Sequence, residues 1–206
     1  MLDLEILQKY DTQNMYKVYD NWPEIARQHY EKDLESVDFG EISHVVFAGM
    51  GGSGAIGDIF SAILSKTNIH VEVIKGYLLP KTVDKNSLVV ATSISGNTEE
   101  TLSILEKASN LNCKTIAFSD GGKMEKICKE KNLLYYQIPM KHSPRASFPA
   151  FLYSILKILE PFLPIEKNDI NDSLNKLEIQ RYKISSNNLT IQIQQLILLN
   201  GLQTFH

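Results

Sequence analysis

The 206-residue chain is 43% hydrophobic with a formal net charge of −3, enough apolar material for one α/β domain with added helices. No Lys/Arg run marks a nucleic-acid surface, no apolar run reaches membrane-spanning length, and no basic segment followed by an apolar one opens the chain. The expectation is a cytoplasmic protein that engages neither nucleic acid nor membrane.

Residues 1–37 carry Leu4, Leu7, Tyr10, Met15, Val18, Tyr19, Ile25, Ala26 and Tyr30 among charges, which predicts two amphipathic helices broken near Trp22-Pro23 and packed on the domain that follows. From His44 the pattern changes to short strands alternating with helices. Strands are predicted at Val45 to Ala48, Val71 to Ile74, Leu88 to Thr92, Thr115 to Phe118 and Leu134 to Ile138. Helices are predicted after Gly54, after Thr98, from Lys123 and from Ala150 to Leu163, with one more marked by Ile170, Leu174 and Leu177. Between Ile74 and Leu88 there is no helical period, so that crossover reads as a loop. The order implies an α/β fold with a doubly wound, mostly parallel, five-stranded sheet. Cys113 and Cys128 stand in apolar surroundings without metal-ligand spacing and read as buried thiols.

Chemistry concentrates where strands end. The first strand runs into Gly49-Met50-Gly51-Gly52-Ser53-Gly54 and then a helix. Glycines let backbone approach an anion, and a helix start turns unpaired N–H groups and its positive dipole end toward it; helix-on-sheet packing is the alternative use of such a turn. The third strand opens into Ser93-Ile94-Ser95-Gly96-Asn97-Thr98, hydroxyl and amide groups around one glycine. Two such loops face one another across the crevice where parallel sheets take ligands. Ser119-Asp120-Gly121-Gly122 ends the fourth strand and reads as a plain turn. After the fifth strand, Arg145 sits between Pro144 and Pro149, a guanidinium on a stiffened loop suited to a phosphate or a developing oxyanion, or else simply solvated.

Taken together, the Gly49–Gly54 turn, the Ser93–Thr98 loop and Ser143-Pro144-Arg145-Ala146 resemble the bifunctional phosphoglucose/phosphomannose isomerases, built from two sugar isomerase (SIS) domains. The resemblance covers residues 1 to about 185 and corresponds to the first SIS domain of a longer protein, with a flavodoxin-like sheet. It divides the chain into N-terminal helices (1–37), an SIS domain (38–163), and a linker helix with an irregular tail (164–206). It implies that Ser93, Ser95 and Thr98 hold the phosphate of a phosphorylated hexose, that Gly51, Gly52 and Ser53 line the sugar end, and that Arg145 stabilises the enediolate. No metal or organic cofactor is implied, and a homodimer is. The family's glutamate base, ring-opening histidine and C-terminal lysine have no counterpart here. Glu160, Glu178 and His206 match none of them, so the chain is expected to bind without turnover.

Two other readings compete. One is a single SIS domain that senses a phosphosugar without chemistry. The other is a dinucleotide fold, since Gly49, Gly51 and Gly54 satisfy G-x-G-x-x-G, with the acidic residue expected about 20 positions on falling at Glu72, inside a strand rather than at its end. Residues 189–206 lose strand and turn logic. Back-translated one nucleotide earlier they permit a linker-like reading, which leaves a frameshift near residue 189 and genuine truncation as open alternatives.

Overall fold

The computed structural model describes residues 3–34 and 37–189; the tail from 190 onward, where the sequence loses its pattern, lies outside the described residues. The described residues divide into two compact units, one from residues 3–28 with 166–189 and one from the described residues between 29 and 165. None of the described helices is long and apolar enough to cross a membrane.

The first unit holds short helices with local stops. Asp3 caps α1 (Leu4–Tyr10) by accepting from the Ile6 N–H at 2.8 Å. Asn14, at φ 57°, turns the chain into α2 (Met15–Asp20). Helix α3 (Trp22–Glu31) then starts at Trp22. There are thus three short N-terminal helices among the described residues rather than two, and Trp22-Pro23 begins a helix instead of breaking one. Proline is tolerated in a first turn, where its missing N–H would have no intrahelical acceptor. At the far end of the sequence a long helix (Lys167–Ile184) starts on a reciprocal Glu166–Asp169 capping box. Its Arg181 pairs with Glu24 at 3.2 Å.

The second unit is the sheet. Its strands are β1 (His44–Ala48), β2 (His70–Ile74), β3 (Ser87–Thr92), β4 (Lys114–Ser119) and β5 (Leu134–Gln137), all parallel, in the order β2-β1-β3-β4-β5. Strands β1 and β3 are buried throughout, whereas the edge strands β2 and β5 are not. This is why the central strands are unbroken apolar runs. Helix α4 (Gly52–Leu64) covers one face, where Phe60 stacks on Phe47 at 5.4 Å between ring centroids. Gly57 lets it close on the sheet, because a Cβ there would lie 2.9 Å from Phe47 Cβ and 3.0 Å from Val73 Cγ1. Helices α5 (Glu99–Ser109) and α6 (Gly122–Lys131) cover the other. Leu102 and Leu105 of α5 and Met124 and Cys128 of α6 bury against Ala91 and Ala117. Burial pushes the Cys128 thiol up to about 11.

The β2–β3 crossover is a loop, as its sequence implies. Helix α7 runs Phe148–Leu159 and passes into a 3-10 turn at Glu160–Phe162. It therefore starts two residues before Ala150, again because Pro149 is admitted in the first turn.

The last turn of α3 delivers His29 to α7, where its Nδ1 lies 2.9 Å from Ser154 Oγ. Burial, reinforced by the charges of Lys141 and Lys32, lowers its pKa from 6.5 to about 4. Between those values the unfolded chain binds a proton that the folded one refuses. The contribution is thus intact above the unfolded value and is lost as pH falls toward 4, by roughly 3 kcal/mol at most. Urea denaturation at about pH 7 and about pH 4 should show this loss, and His29→Gln should shrink the difference between the two.

Candidate functional site

The strand order reverses between β1 and β3, which leave in opposite directions along the sheet. At such a switch point the loops following the two strands splay apart and open a crevice beyond their carboxyl ends. The loop after β1 is the glycine turn and the loop after β3 is the hydroxyl loop. Each leads directly into a helix of more than ten residues.

In the glycine turn, Gly51 sits at φ 53°, ψ −123°, a conformation open essentially to glycine alone, although a Cβ there would meet nothing within 4 Å. Its glycine is demanded by backbone, not by space. Gly49 is the reverse case: a Cβ would lie 2.9 Å from the Ser53 backbone. Helix α4 starts at Gly52, two residues ahead of Gly54, with Ser53 and Gly54 N–H groups donating to Met50 O at 3.0 and 3.3 Å. No side chain caps it. Gly51 and Gly52 are exposed, while Ser53 is buried.

The hydroxyl loop is tighter. Ser93 is buried, and its Oγ lies 2.9 Å from Thr98 Oγ1 and accepts the Thr98 N–H at 3.4 Å. If Ser93 donates to Thr98, the Thr98 hydroxyl proton is left to point outward. The exposed Ser95 Oγ accepts the Asn97 N–H at 3.3 Å, and the Asn97 amide donates to Ser95 O at 2.9 Å. Thr98 is the N-cap of α5 but makes no side-chain cap bond, and the first bond back to it is Leu102 N–H to Thr98 O at 2.9 Å. The first-turn amides of α5 are therefore not capped by Thr98 and face the loop's open side, the arrangement an anion uses. Two carboxylates in that turn are drawn elsewhere. Glu99 pairs with Lys123 at 2.7 Å, and Glu100 lies beside Tyr77, whose phenol it pushes above the ordinary value.

The Ser119–Gly122 turn, read from the sequence as a plain turn, does more: it braces the hydroxyl loop. Asp120 N–H donates to Ile94 O, Met124 N–H to Gly96 O, and Lys123 N–H to Asn97 Oδ1, at 2.9, 2.9 and 3.1 Å. Gly96, at φ 67°, packs so closely that a Cβ would lie 1.8 Å from Gly121 O, and one on Gly122 would lie 2.8 Å from Ser95 O. The sequence shows the glycine pair at the start of α6 but not the loop it packs against.

Asp120 also ties down the segment that carries Arg145. Its Oδ1 accepts the Met140 N–H at 3.0 Å, and its backbone oxygen accepts from the Gln137 amide at 2.9 Å. Within that segment the buried Ser147 hydroxyl donates to Ser143 O at 2.8 Å and accepts the Lys141 N–H at 2.7 Å. The loop is thus pinned from inside while Arg145 itself is exposed. Because β5 is an edge strand, the chain must cross the strand ends to reach the glycine turn. It does so: Phe148 Cδ2 lies 3.9 Å from where a Gly52 Cβ would be. Glu72, by contrast, sits in mid-strand with its carboxylate 3.2 Å from His44 Nε2, which is no place for a ribose-binding acid at a strand's end.

Gly96→Ala should be among the most damaging single changes outside the core, since the methyl group meets backbone rather than a movable side chain and the φ is unfavourable too. A loss of at least ~3 kcal/mol in urea denaturation is expected.

Residues 39–160 match the SIS domain model. The chain is 32% identical over 174 residues to the bifunctional phosphoglucose/phosphomannose isomerase of Aquifex aeolicus (81% of this chain, 50% of the relative). It is 36% identical over 155 residues to that of Caldicellulosiruptor bescii (73% and 45%). A protein of Sulfolobus acidocaldarius named D-glucosamine-6-phosphate 4-epimerase is 30% identical over 146 residues, covering 70% of this chain and 46% of that one. The chain spans about half the length of the curated relatives it matches. In fold it is similar to tagatose-6-phosphate ketose/aldose isomerase from Escherichia coli, with a TM-score of 0.59 at 14% identity over 84% of this chain and 54% of that one. Strand order, loop placement and the family match lead to one conclusion: the chain belongs to the SIS domain family and is similar over most of its length to bifunctional phosphoglucose/phosphomannose isomerases.

Proposed function

We propose that this chain supplies the phosphosugar-binding portion of a cytoplasmic, homodimeric isomerase of the phosphoglucose/phosphomannose type, interconverting glucose 6-phosphate or mannose 6-phosphate with fructose 6-phosphate. The observation that carries the reading is the hydroxyl loop at the reversal of strand order, which sets Ser93, Ser95 and Thr98 over the uncapped start of α5. A phosphate there accepts hydrogen bonds from the Thr98 and Ser95 hydroxyls and from first-turn amides, with the helix dipole in support. Gly51, Gly52 and Ser53 bound the sugar end on the other side of the crevice.

Aldose–ketose interconversion moves one proton between C2 and C1 of the open-chain sugar and a second between the oxygens on those carbons. A base removes the proton from one carbon and returns it to the other; in between, the electron pair resides on the former carbonyl oxygen as an enediolate, which takes up a proton as the neighbouring hydroxyl gives one up to become the new carbonyl. Arg145, cationic at any working pH and held on a pinned loop beside the glycine turn, is the group suited to that charge. The chemistry calls for a carboxylate base, and in the isomerases this chain resembles the base belongs to the second domain. On that ground the chain binds substrate and does not turn it over by itself.

The relative named as a 4-epimerase acts on a phosphorylated sugar as well, so the phosphosugar class has broader support than any one reaction. An SIS domain that binds without chemistry is the second reading. Titration calorimetry with fructose 6-phosphate, beside a coupled assay for glucose 6-phosphate, tests the proposal. Binding without turnover is expected, weakened about tenfold or more in a folded Ser93→Ala variant. Absence of binding would overturn the phosphosugar site, and turnover would place the base within this chain.

A further inference from the structure

At the opposite end of the strands from the hydroxyl loop, His44 and His70 are register partners at the starts of β1 and β2, and Glu72 lies two residues further along the same face. His44 Nε2 is 3.2 Å and His70 Nε2 is 3.5 Å from Glu72 Oε1, and the three donor atoms lie within 4.8 Å of one another. The His44 side chain is only 7% exposed, and its Nε2 has no hydrogen-bond partner.

The neighbouring bonds fix what that nitrogen carries. Ser87 Oγ donates its proton to Asp84 Oδ1 at 2.9 Å, so toward His44 Nδ1, 3.4 Å away, it offers only a lone pair. That arrangement favours the tautomer with the proton on Nδ1, in which the neutral ring's Nε2 presents its own lone pair to a carboxylate oxygen. His44 is buried and Glu72 only half-buried, and two acceptors that face each other there repel unless something positive lies between them. A proton is one candidate and a metal ion is the other.

We propose that His44, His70 and Glu72 form a binding site for a divalent transition-metal ion of the zinc class. Two imidazoles and one carboxylate are a zinc donor set, with a fourth position left to water. Donors about 2.0–2.1 Å from a tetrahedral ion stand ~3.3 Å apart. The two measured edges, 3.2 and 3.5 Å, already fit, and only the His44–His70 edge has to close. His70 can supply that movement because its side chain is 65% exposed. The surroundings match a metal site as well. The His44–Ser87–Asp84 chain holds the ring in the tautomer that ligates through Nε2, and the Thr82 hydroxyl steadies Glu72 Oε1 at 3.2 Å. Bound there, the ion clips edge strand β2 to β1.

The test is a titration of the chelator-treated 206-residue chain with Zn²⁺ alone, read by competition with a chromophoric chelator, with X-ray absorption on the loaded protein. One ion per chain, ligated by two imidazole nitrogens and oxygen without sulfur, is expected, together with a rise in Tm. His70→Ala and Glu72→Gln alter partly exposed side chains on an edge strand and should keep the apo fold by circular dichroism while weakening zinc at least tenfold. Failure to bind one ion would leave a proton as the bridge and overturn the proposal. Thiolate ligation through Cys113 or Cys128, or an affinity untouched in both variants, would overturn it equally.

Discussion

The contact on which the upper face of this domain depends is backbone against backbone, Gly96 on the carbonyl of Gly121. Side chains can yield by changing rotamer, but two main chains this close cannot. The loop after β3 is thereby locked to the turn after β4, and three further hydrogen bonds between them leave it little freedom. What the lock secures is orientation. Ser93, Thr98 and the first amides of α5 are held in place by folding itself, and for the proposed anion the entropy of assembling them would be met there rather than in binding. Asp120 extends the same rigidity to the segment with Arg145, so the hydroxyl loop and that segment are built on one connected frame.

The parallel sheet makes this economical. With every strand running the same way, each strand end feeds a helix start, and the reversal of order between β1 and β3 decides which of these starts share a crevice. A loop on an edge strand would ordinarily be excluded. Here the segment after β5 enters α7 with Phe148 beside Gly52, so the loop that carries Arg145 leads to the glycine turn although β5 lies at the sheet's edge.

Much of this was legible. Apolar runs such as Leu88 to Thr92 are strands because both their faces are covered, and buried parallel strands show themselves in sequence without ambiguity. The glycines of Gly49–Gly54 were readable as a tight turn, though not the division of labour within it: Gly51 is required by its φ and Gly49 by its neighbour, a distinction that only coordinates make. The helix starts lie three residues ahead of the expected one at Gly52 and two ahead at Phe148, because glycine and proline read as breakers yet both are found in a first turn. What could not be read was any contact between loops remote in sequence. Gly121 and Gly122 look like an ordinary turn until Gly96 is set against them. Likewise His44, His70 and Glu72 have no motif spacing, since parallel register rather than sequence distance brings them together.

That register explains why opposite chemistries sit at opposite ends of the sheet. Helix starts gather at the carboxyl ends of the strands, where their positive dipole ends favour an anion. Helix ends gather at the other edge, where α4 terminates at Leu64 a few residues before His70 opens β2. The partial negative charge of a helix end favours protonated imidazole or a cation near it. A group of ligands that gathers a cation belongs electrostatically at that edge, just as hydroxyls and amides belong at the other. A doubly wound parallel sheet is therefore polar as a whole. Where a residue falls along the strand decides, before any particular contact is made, which sign of ligand it is placed to receive.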